Sequence, residues 1–294
     1  MPLHRLPQHR QGRPRCRRGD PLVIPAELDY VCAESLEQTA TLLAENEDAK
    51  LLAGGQSLLP LMKLRFARPS ILVDAGRIPG LSYVREDDGH VAIGALTTHH
   101  EVATSSLLQH HCRVLADAAA TVGDPQVRHL GTIGGATAHA DPAGGLPTVL
   151  LALQAALVIT GRGDVVRAAH VEGFFQGLFQ PDLAPGEVIT EVRVPNLDGG
   201  SAYIRFARRA LDWATVSVAA VKHANNVVVA LGNMSDRPLR AAQVERALEE
   251  GASHAEAALL ADEGADPPSD EKAGAEFRRE LSRVLTRRAL EQVL

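Results

Sequence analysis

Two glycine-rich runs govern what this chain can become: Leu52-Ala53-Gly54-Gly55-Gln56-Ser57, and roughly eighty positions later Gly131-Thr132-Ile133-Gly134-Gly135, leading to His139-Ala140-Asp141-Pro142. A glycine pair lets the main chain approach a ligand closely and turn its amide N–H groups onto an anion. The first pair follows a short apolar run, Lys50-Leu51-Leu52-Ala53, and precedes a helical turn over 58–64, so a helix N-terminus adds to the attraction. Neither run has the spacing of the single-loop dinucleotide fingerprint or the lysine of the P-loop, and one glycine pair alone is most simply a tight turn. Two of them point to one large phosphate-bearing ligand held from both sides.

The chain has 294 residues, 45% of them hydrophobic, enough for two or three modest cores. Its net charge of -6 argues against general nucleic-acid binding, which needs basic surface to displace counterions from phosphates. The three cysteines, Cys16, Cys32 and Cys112, lie far apart with no Cys-x-x-Cys pair, so they form neither a disulfide framework nor a zinc or iron–sulfur ligand set. Any iron–sulfur centre belongs to another polypeptide. No apolar run approaches membrane-spanning length, and the arginine-rich segment 1–22 lacks the apolar stretch of a signal peptide, so the protein is expected to be cytoplasmic and the segment reads as a flexible tail or as coding sequence upstream of the true start.

From residue 23 the pattern is that of a folded domain. Ser35 and Gln38 make a capping box before a helix ending near Asn46, and Ser70-Ile71-Leu72-Val73-Asp74 reads as a buried strand, giving a small βαβ-like lobe over 23–80. Beyond Leu81, a hairpin about Asp87-Asp88-Gly89 opens a mixed, more antiparallel lobe. It contains a helix from Arg113, an apolar helix over Pro147–Ala156, and strands at 157–160, 165–167 and 188–194. Pro195-Asn196-Leu197-Asp198-Gly199-Gly200 is the clearest linker, and after it a small antiparallel sheet carries helices at 240–250, 253–263 and 270–294. The last helix places Phe277, Leu281, Val284, Leu285 and Leu290 near one face, read as domain core. The expected fold is α+β: a two-lobed domain over 23–197 and a second domain over 198–294.

Several rival sites are weak. Gly161-Arg162-Gly163-Asp164 imitates a Rossmann turn but leads into another strand, so it reads as a hairpin turn. The pairs His99-His100 and His110-His111 point apart on any regular element and read as surface or polar-core residues instead of metal ligands. Ser57 has no nucleophile elbow or His–Asp partners.

The runs Asp48 to Lys63 with Val73-Asp74, Gly94-Ala95-Leu96-Thr97-Thr98, and Asp124-Pro125-Gln126-Val127-Arg128 through Gly135 to Asp141-Pro142 resemble the FAD-binding medium subunit of molybdenum hydroxylases, the carbon monoxide dehydrogenase and xanthine dehydrogenase family. The motifs keep the family's order and spacing from residue 23 to the C-terminus. The resemblance implies that Ala53, Gly54, Gly55, Gln56 and Ser57, flanked by Leu52, bind the FAD pyrophosphate. It implies that Thr132, Ile133, Gly134, Gly135 and Ala136 hold the flavin and its ribityl-phosphate arm from the other side. His139 and Asp141 would add polar contacts, and Trp213 of Asp212-Trp213-Ala214 would meet the isoalloxazine where relatives often have tyrosine. FAD would lie between the lobes.

Two positions depart from the family pattern. Ala136 stands where serine or asparagine is common, and Gly144-Gly145 where many relatives carry an acid. A lost neutral hydrogen bond is worth roughly 0.5–1.5 kcal/mol, about tenfold in affinity at most, so binding survives. The implied activity is that of an oxidoreductase. Electrons from a molybdopterin-binding large subunit would pass through a 2Fe–2S small subunit to this FAD and then to an external acceptor, in a dimer of heterotrimers. A flavin brings its own redox chemistry, which agrees with the absence of a catalytic acid, base, nucleophile or metal set in the sequence. The alternatives are a stand-alone FAD-dependent oxidoreductase acting on a small organic substrate and a non-catalytic nucleotide-binding or assembly protein.

Overall fold

The computed structural model describes residues 26–224 and 226–294. The basic segment 1–22 lies outside the described residues.

The first lobe is a parallel sheet. β1 (Asp29–Cys32), α1 (Leu36–Glu45), β2 (Lys50–Leu52), α2 (Leu58–Lys63) and β3 (Ile71–Asp74) assemble in the order β1-β3-β2. Ser35 caps α1, its Oγ accepting the amide of Gln38 at 3.1 Å, while the Gln38 side chain reaches back one residue further than a capping box requires, to Glu34 N at 2.9 Å. Parallel strands must return through crossovers. The crossover after β2 therefore begins on the first glycine run.

The second lobe is an antiparallel sheet packed with helices. β4 (Val84–Asp87) and β5 (His90–Gly94) form the hairpin, its turn carrying φ 37° at Asp88 and 79° at Gly89, two left-handed residues in succession. Then come α3 (His99–Thr104), α4 (Ser106–His111), α5 (Arg113–Ala120), α6 (Pro125–Arg128), α7 (Ile133–His139) and α8 (Gly145–Ala152). β6 (Ala156–Thr160), β7 (Val166–His170), α9 (Val171–Phe174), the short pair β8 (Phe175–Gly177) and β9 (Gln180–Pro181), and β10 (Val188–Pro195) follow. The sheet order is β4-β5-β10-β6-β7, and residues 161–165 join β6 to β7 as a hairpin turn. The α8 helix starts and stops earlier than the sequence pattern suggests, because Gln154 turns left-handed at φ 53° and hands the chain to β6.

The third sheet runs in sequence order: β11 (Ser201–Phe206), β12 (Val216–His223), β13 (Asn226–Gly232) and β14 (Leu239–Arg240), all antiparallel. α10 (Ala242–Glu249), α11 (His254–Ala258) and α12 (Ala275–Val293) cover it. α12 corrects the expected apolar stripe. Phe277 is 50% exposed, and the buried face carries Arg278, Ser282, Leu285, Thr286, Ala289, Leu290 and Val293. The helix is rotated so that Arg278 enters the core, where its guanidinium donates to Thr215 O and pairs with Asp270 at 2.7 Å.

Each sheet has its own apolar cluster, and α8 ties the second to the third. Leu146 through Ala152 are buried without interruption, as expected of a helix apolar on every side. Among the described residues no helix is long and apolar enough to cross a membrane.

Candidate functional site

The two glycine runs meet. A Cβ on Gly54 would lie 2.1 Å from Leu130 O and 2.6 Å from Gly131 Cα, so the first run rests against the start of the second with no room for a side chain. On Gly135 a Cβ would stand 3.7 Å from that of Ala53. Gly134 is pressed in turn on Ala95, with a Cβ position 2.5 Å from the alanine's own. The Gly94–Thr98 segment thus backs the second run as the second backs the first. Two backbone hydrogen bonds, Ile133 N to Thr97 O at 3.0 Å and Gly134 N to Ala95 O at 2.9 Å, fix that arrangement.

Amide accounting separates the two runs. Among the described residues none accepts a hydrogen bond from the main-chain N–H of Gly54, Gly55, Gln56 or Ser57, and these residues are only half-buried. Gly55 turns left-handed at φ 70°, and the Ser57 hydroxyl makes no cap to α2. Four donors and a hydroxyl are thereby left to solvent or to an anion. In the second run, Gly135 N bonds Thr132 Oγ1 at 3.1 Å and Ala136 N bonds Thr132 O at 3.0 Å, so with Ile133 and Gly134 four successive amides are already spent. Its contribution is a close, side-chain-poor surface instead of a row of free donors, with Thr132 and Ile133 buried and Gly135 and Ala136 half-exposed.

The remaining candidates lie on α7, the turn after it and the loop between β11 and β12. His139 ends α7 with its ring stacked on Phe179 at 4.9 Å, and burial pushes its pKa down. Asp141 accepts the amide of Ala143 at 2.9 Å, and burial holds its carboxyl above the usual range. Trp213 lies on the loop between β11 and β12 and is 53% exposed. Asn233 joins these segments. Its amide donates to Pro142 O at 2.7 Å and its Nδ2 to Ala214 O at 2.8 Å, from a left-handed conformation at φ 62°. One residue beyond β13 thus holds the Asp141-Pro142 turn and the Trp213-Ala214 loop together.

Asn233 escaped the sequence reading, as did two other residues. The ring of His99 fills the space beside Gly131, where a Cβ would approach it to 2.8 Å. Burial first, and then the charge of Arg128, lowers its pKa to about 4, and its Nδ1 has no partner among the described residues. The histidine pairs showed only that a metal site was absent from their spacing, not that one ring packs on a glycine loop. Tyr203 is the third. A Cβ on Gly145 would meet the tyrosine hydroxyl at 2.4 Å, so the ring occupies the space that a side chain at 145 would need.

Free amides on a glycine turn, a glycine surface facing them and an exposed indole are the parts a dinucleotide requires: donors for a diphosphate, close approach, and an aromatic face. Comparison with known proteins agrees with that chemistry. Residues 26–197 match the family described as FAD binding domain in molybdopterin dehydrogenase, and residues 201–293 match the CO dehydrogenase flavoprotein C-terminal domain. The glyceraldehyde dehydrogenase medium chain of Sulfolobus acidocaldarius is 38% identical over 92% of this chain and 100% of its own length. The 6-hydroxypseudooxynicotine dehydrogenase complex subunit alpha of Paenarthrobacter nicotinovorans is 39% identical over 92% of this chain and 95% of its own. A solved carbon monoxide dehydrogenase from Hydrogenophaga pseudoflava, lacking the Mo-pyranopterin moiety of its cofactor, superposes with a TM-score of 0.88 at 37% identity, covering 92% of this chain and 98% of that one. The chain belongs to the FAD-binding flavoprotein subunits of the molybdopterin dehydrogenases, a family of oxidoreductases.

Proposed function

We propose that this chain is the FAD-carrying exit subunit of a heterotrimeric molybdenum hydroxylase, taking electrons from the iron–sulfur clusters of a small subunit and passing them to an external acceptor. The observation that carries the reading is the junction of the two glycine runs, with Gly54 against Leu130-Gly131 and four free amides beside it. In this reading Gly54, Gly55, Gln56 and Ser57 donate to the diphosphate, with Leu52 and Ala53 shaping the approach. Thr132, Ile133, Gly134, Gly135 and Ala136 give the flavin arm a surface without obstruction. His139 and Asp141 line the polar end, and Trp213 covers the isoalloxazine. The division at 197–198 would separate the domain that grips the cofactor from the one that carries Trp213.

Bound FAD supplies the electron transfer that no side chain of the chain can perform. What the residues supply is position and enclosure. The amides of Gly54, Gly55, Gln56 and Ser57 would hold the diphosphate, and Asn233 ties the Asp141-Pro142 turn to the Trp213 loop. Burial lowers the pKa of His139 and raises that of Asp141, disfavouring the charged form of each.

The relatives named as medium chain or complex subunit support a partner-dependent role. Purification of the chain from its host is expected to bring a molybdopterin-containing large subunit and an iron–sulfur small subunit, with one FAD per copy of this chain. The isolated chain with FAD is expected to be reduced by dithionite and inert to organic donors. Recovery of the chain alone and turning over an organic substrate would favour the stand-alone oxidoreductase. A chain that takes up no flavin would overturn both.

A further inference from the structure

Between the end of α5 and the loop that carries Trp213 lies a cleft of about 410 Å³ lined by Thr121, Gly123, Arg128, Arg205, Arg209 and Leu211. Three of these residues are arginines, and no carboxylate lines the cleft. Arg128 is held by neutral acceptors: its Nη1 donates to Val122 O and Gly123 O, both at 3.0 Å. Arg205 is held in the same way, by Thr121 O at 2.9 Å and by Asp212 O. Carbonyl groups orient a guanidinium without cancelling its charge. The Arg209 side chain forms no hydrogen bond or ion pair among the described residues.

Several arginines elsewhere are paired with carboxylates. Arg167 pairs with Glu187 at 2.7 Å and Asp182 at 3.1 Å, Arg240 with Glu245 at 2.5 Å and Glu172 at 3.0 Å, and Arg283 with Asp262 at 2.6 Å. In a chain with 36 acidic residues and a net charge of -6, carboxylates are plentiful. Three guanidinium groups gathered without one repel each other and raise the local potential, an arrangement that an incoming anion relieves. Pre-oriented guanidinium forks match phosphate oxygens better than a point charge does.

We propose that this cleft is a binding site for a phosphate-bearing small anion, with Arg128 and Arg205 as fixed walls and Arg209 as the mobile arm that closes on it. The site shares no residue with the two glycine runs. It lies under the same loop as Trp213, so an occupant would sit beside the indole assigned above to the flavin. Its chemistry suits inorganic pyrophosphate and a nucleoside diphosphate alike.

The test is calorimetric titration of the full chain, saturated with FAD, with pyrophosphate at constant ionic strength. Saturable binding is expected, weakened at least about tenfold by Arg209→Gln. Because the Arg209 side chain makes no hydrogen bond or ion pair among the described residues, that variant should keep its thermal midpoint and its FAD affinity. A parallel titration with ADP separates the sources: tighter binding than pyrophosphate identifies a nucleotide, and equal binding identifies the phosphates alone. No saturable heat, equal affinity in Arg209→Gln, or displacement of pyrophosphate by FAD would each overturn the proposal. Should the chain take up no FAD, the flavin reading fails separately, and the Arg209→Gln comparison on the FAD-free chain still reads the cleft.

Discussion

At the scale of single residues, the site is governed by where a side chain has no room. Gly54 is the sharpest case, because the atom in the way is a main-chain oxygen that cannot rotate aside. Gly54→Ala should therefore part the two runs, lowering stability by about 1–3 kcal/mol and FAD affinity by roughly tenfold or more. Denaturant melts and flavin titration read both, and Gly173→Ala, which meets nothing within 4 Å, is the matched control. His99 makes a pH prediction. Its folded pKa of about 4 lies below the ordinary 6.5, so the unfolded chain binds the proton first. Stability should fall as pH drops from about 6.5 through 4, by on the order of 3 kcal/mol in all. The slope in that window should flatten in His99→Gln, measured by urea unfolding. Motifs spelled out Gly54 and Gly55, since both lie in one short run. His99, Tyr203 and Asn233 act on loops distant in sequence, and nothing in their local pattern distinguishes them from polar residues of the core.

Among the elements, boundaries followed local chemistry and orientation followed partners. The Asp87–Gly89 hairpin and the α1 cap were legible because turn and cap residues act on their own neighbours. The α12 face was read correctly at Leu285 and Leu290 but not at Phe277 and Val284, because a 0% exposed arginine looks like surface in a helical pattern. Only the Thr215 carbonyl and Asp270, supplied by other segments, make its burial tolerable. The second run shows the same limit. Its glycines are visible in sequence, but the engagement of its amides by Thr97, Ala95 and Thr132 is not. Asn233 offers a test of how loops are coupled. Asn233→Gly keeps the left-handed backbone and removes only the tie to Ala214, whereas Asn233→Ala adds backbone strain. Both should free the Trp213 loop, seen as lower fluorescence anisotropy of the chain's only tryptophan. The alanine variant should be the less stable by roughly 1 kcal/mol.

For the molecule as a whole, α8 decides which parts are separable. It is wrapped by the second lobe on one side and by β12 and β13 on the other, so cutting the chain near residue 198 would bare part of an all-apolar helix. A fragment ending there should aggregate or bind FAD weakly, and addition of residues 198–294 should recover soluble, flavin-binding protein, measured by sedimentation and flavin absorbance. Intact FAD binding by the shorter fragment would refute this dependence.

The unequal state of the two glycine runs has a consequence for the life of the polypeptide. One is a finished wall and the other keeps its hydrogen-bonding capacity in water, where unsatisfied amides cost little. FAD bound at those amides would take them from water instead of breaking hydrogen bonds of the fold. Loading then stabilises by mass action alone, about 2.7 kcal/mol when free FAD is a hundredfold above its dissociation constant.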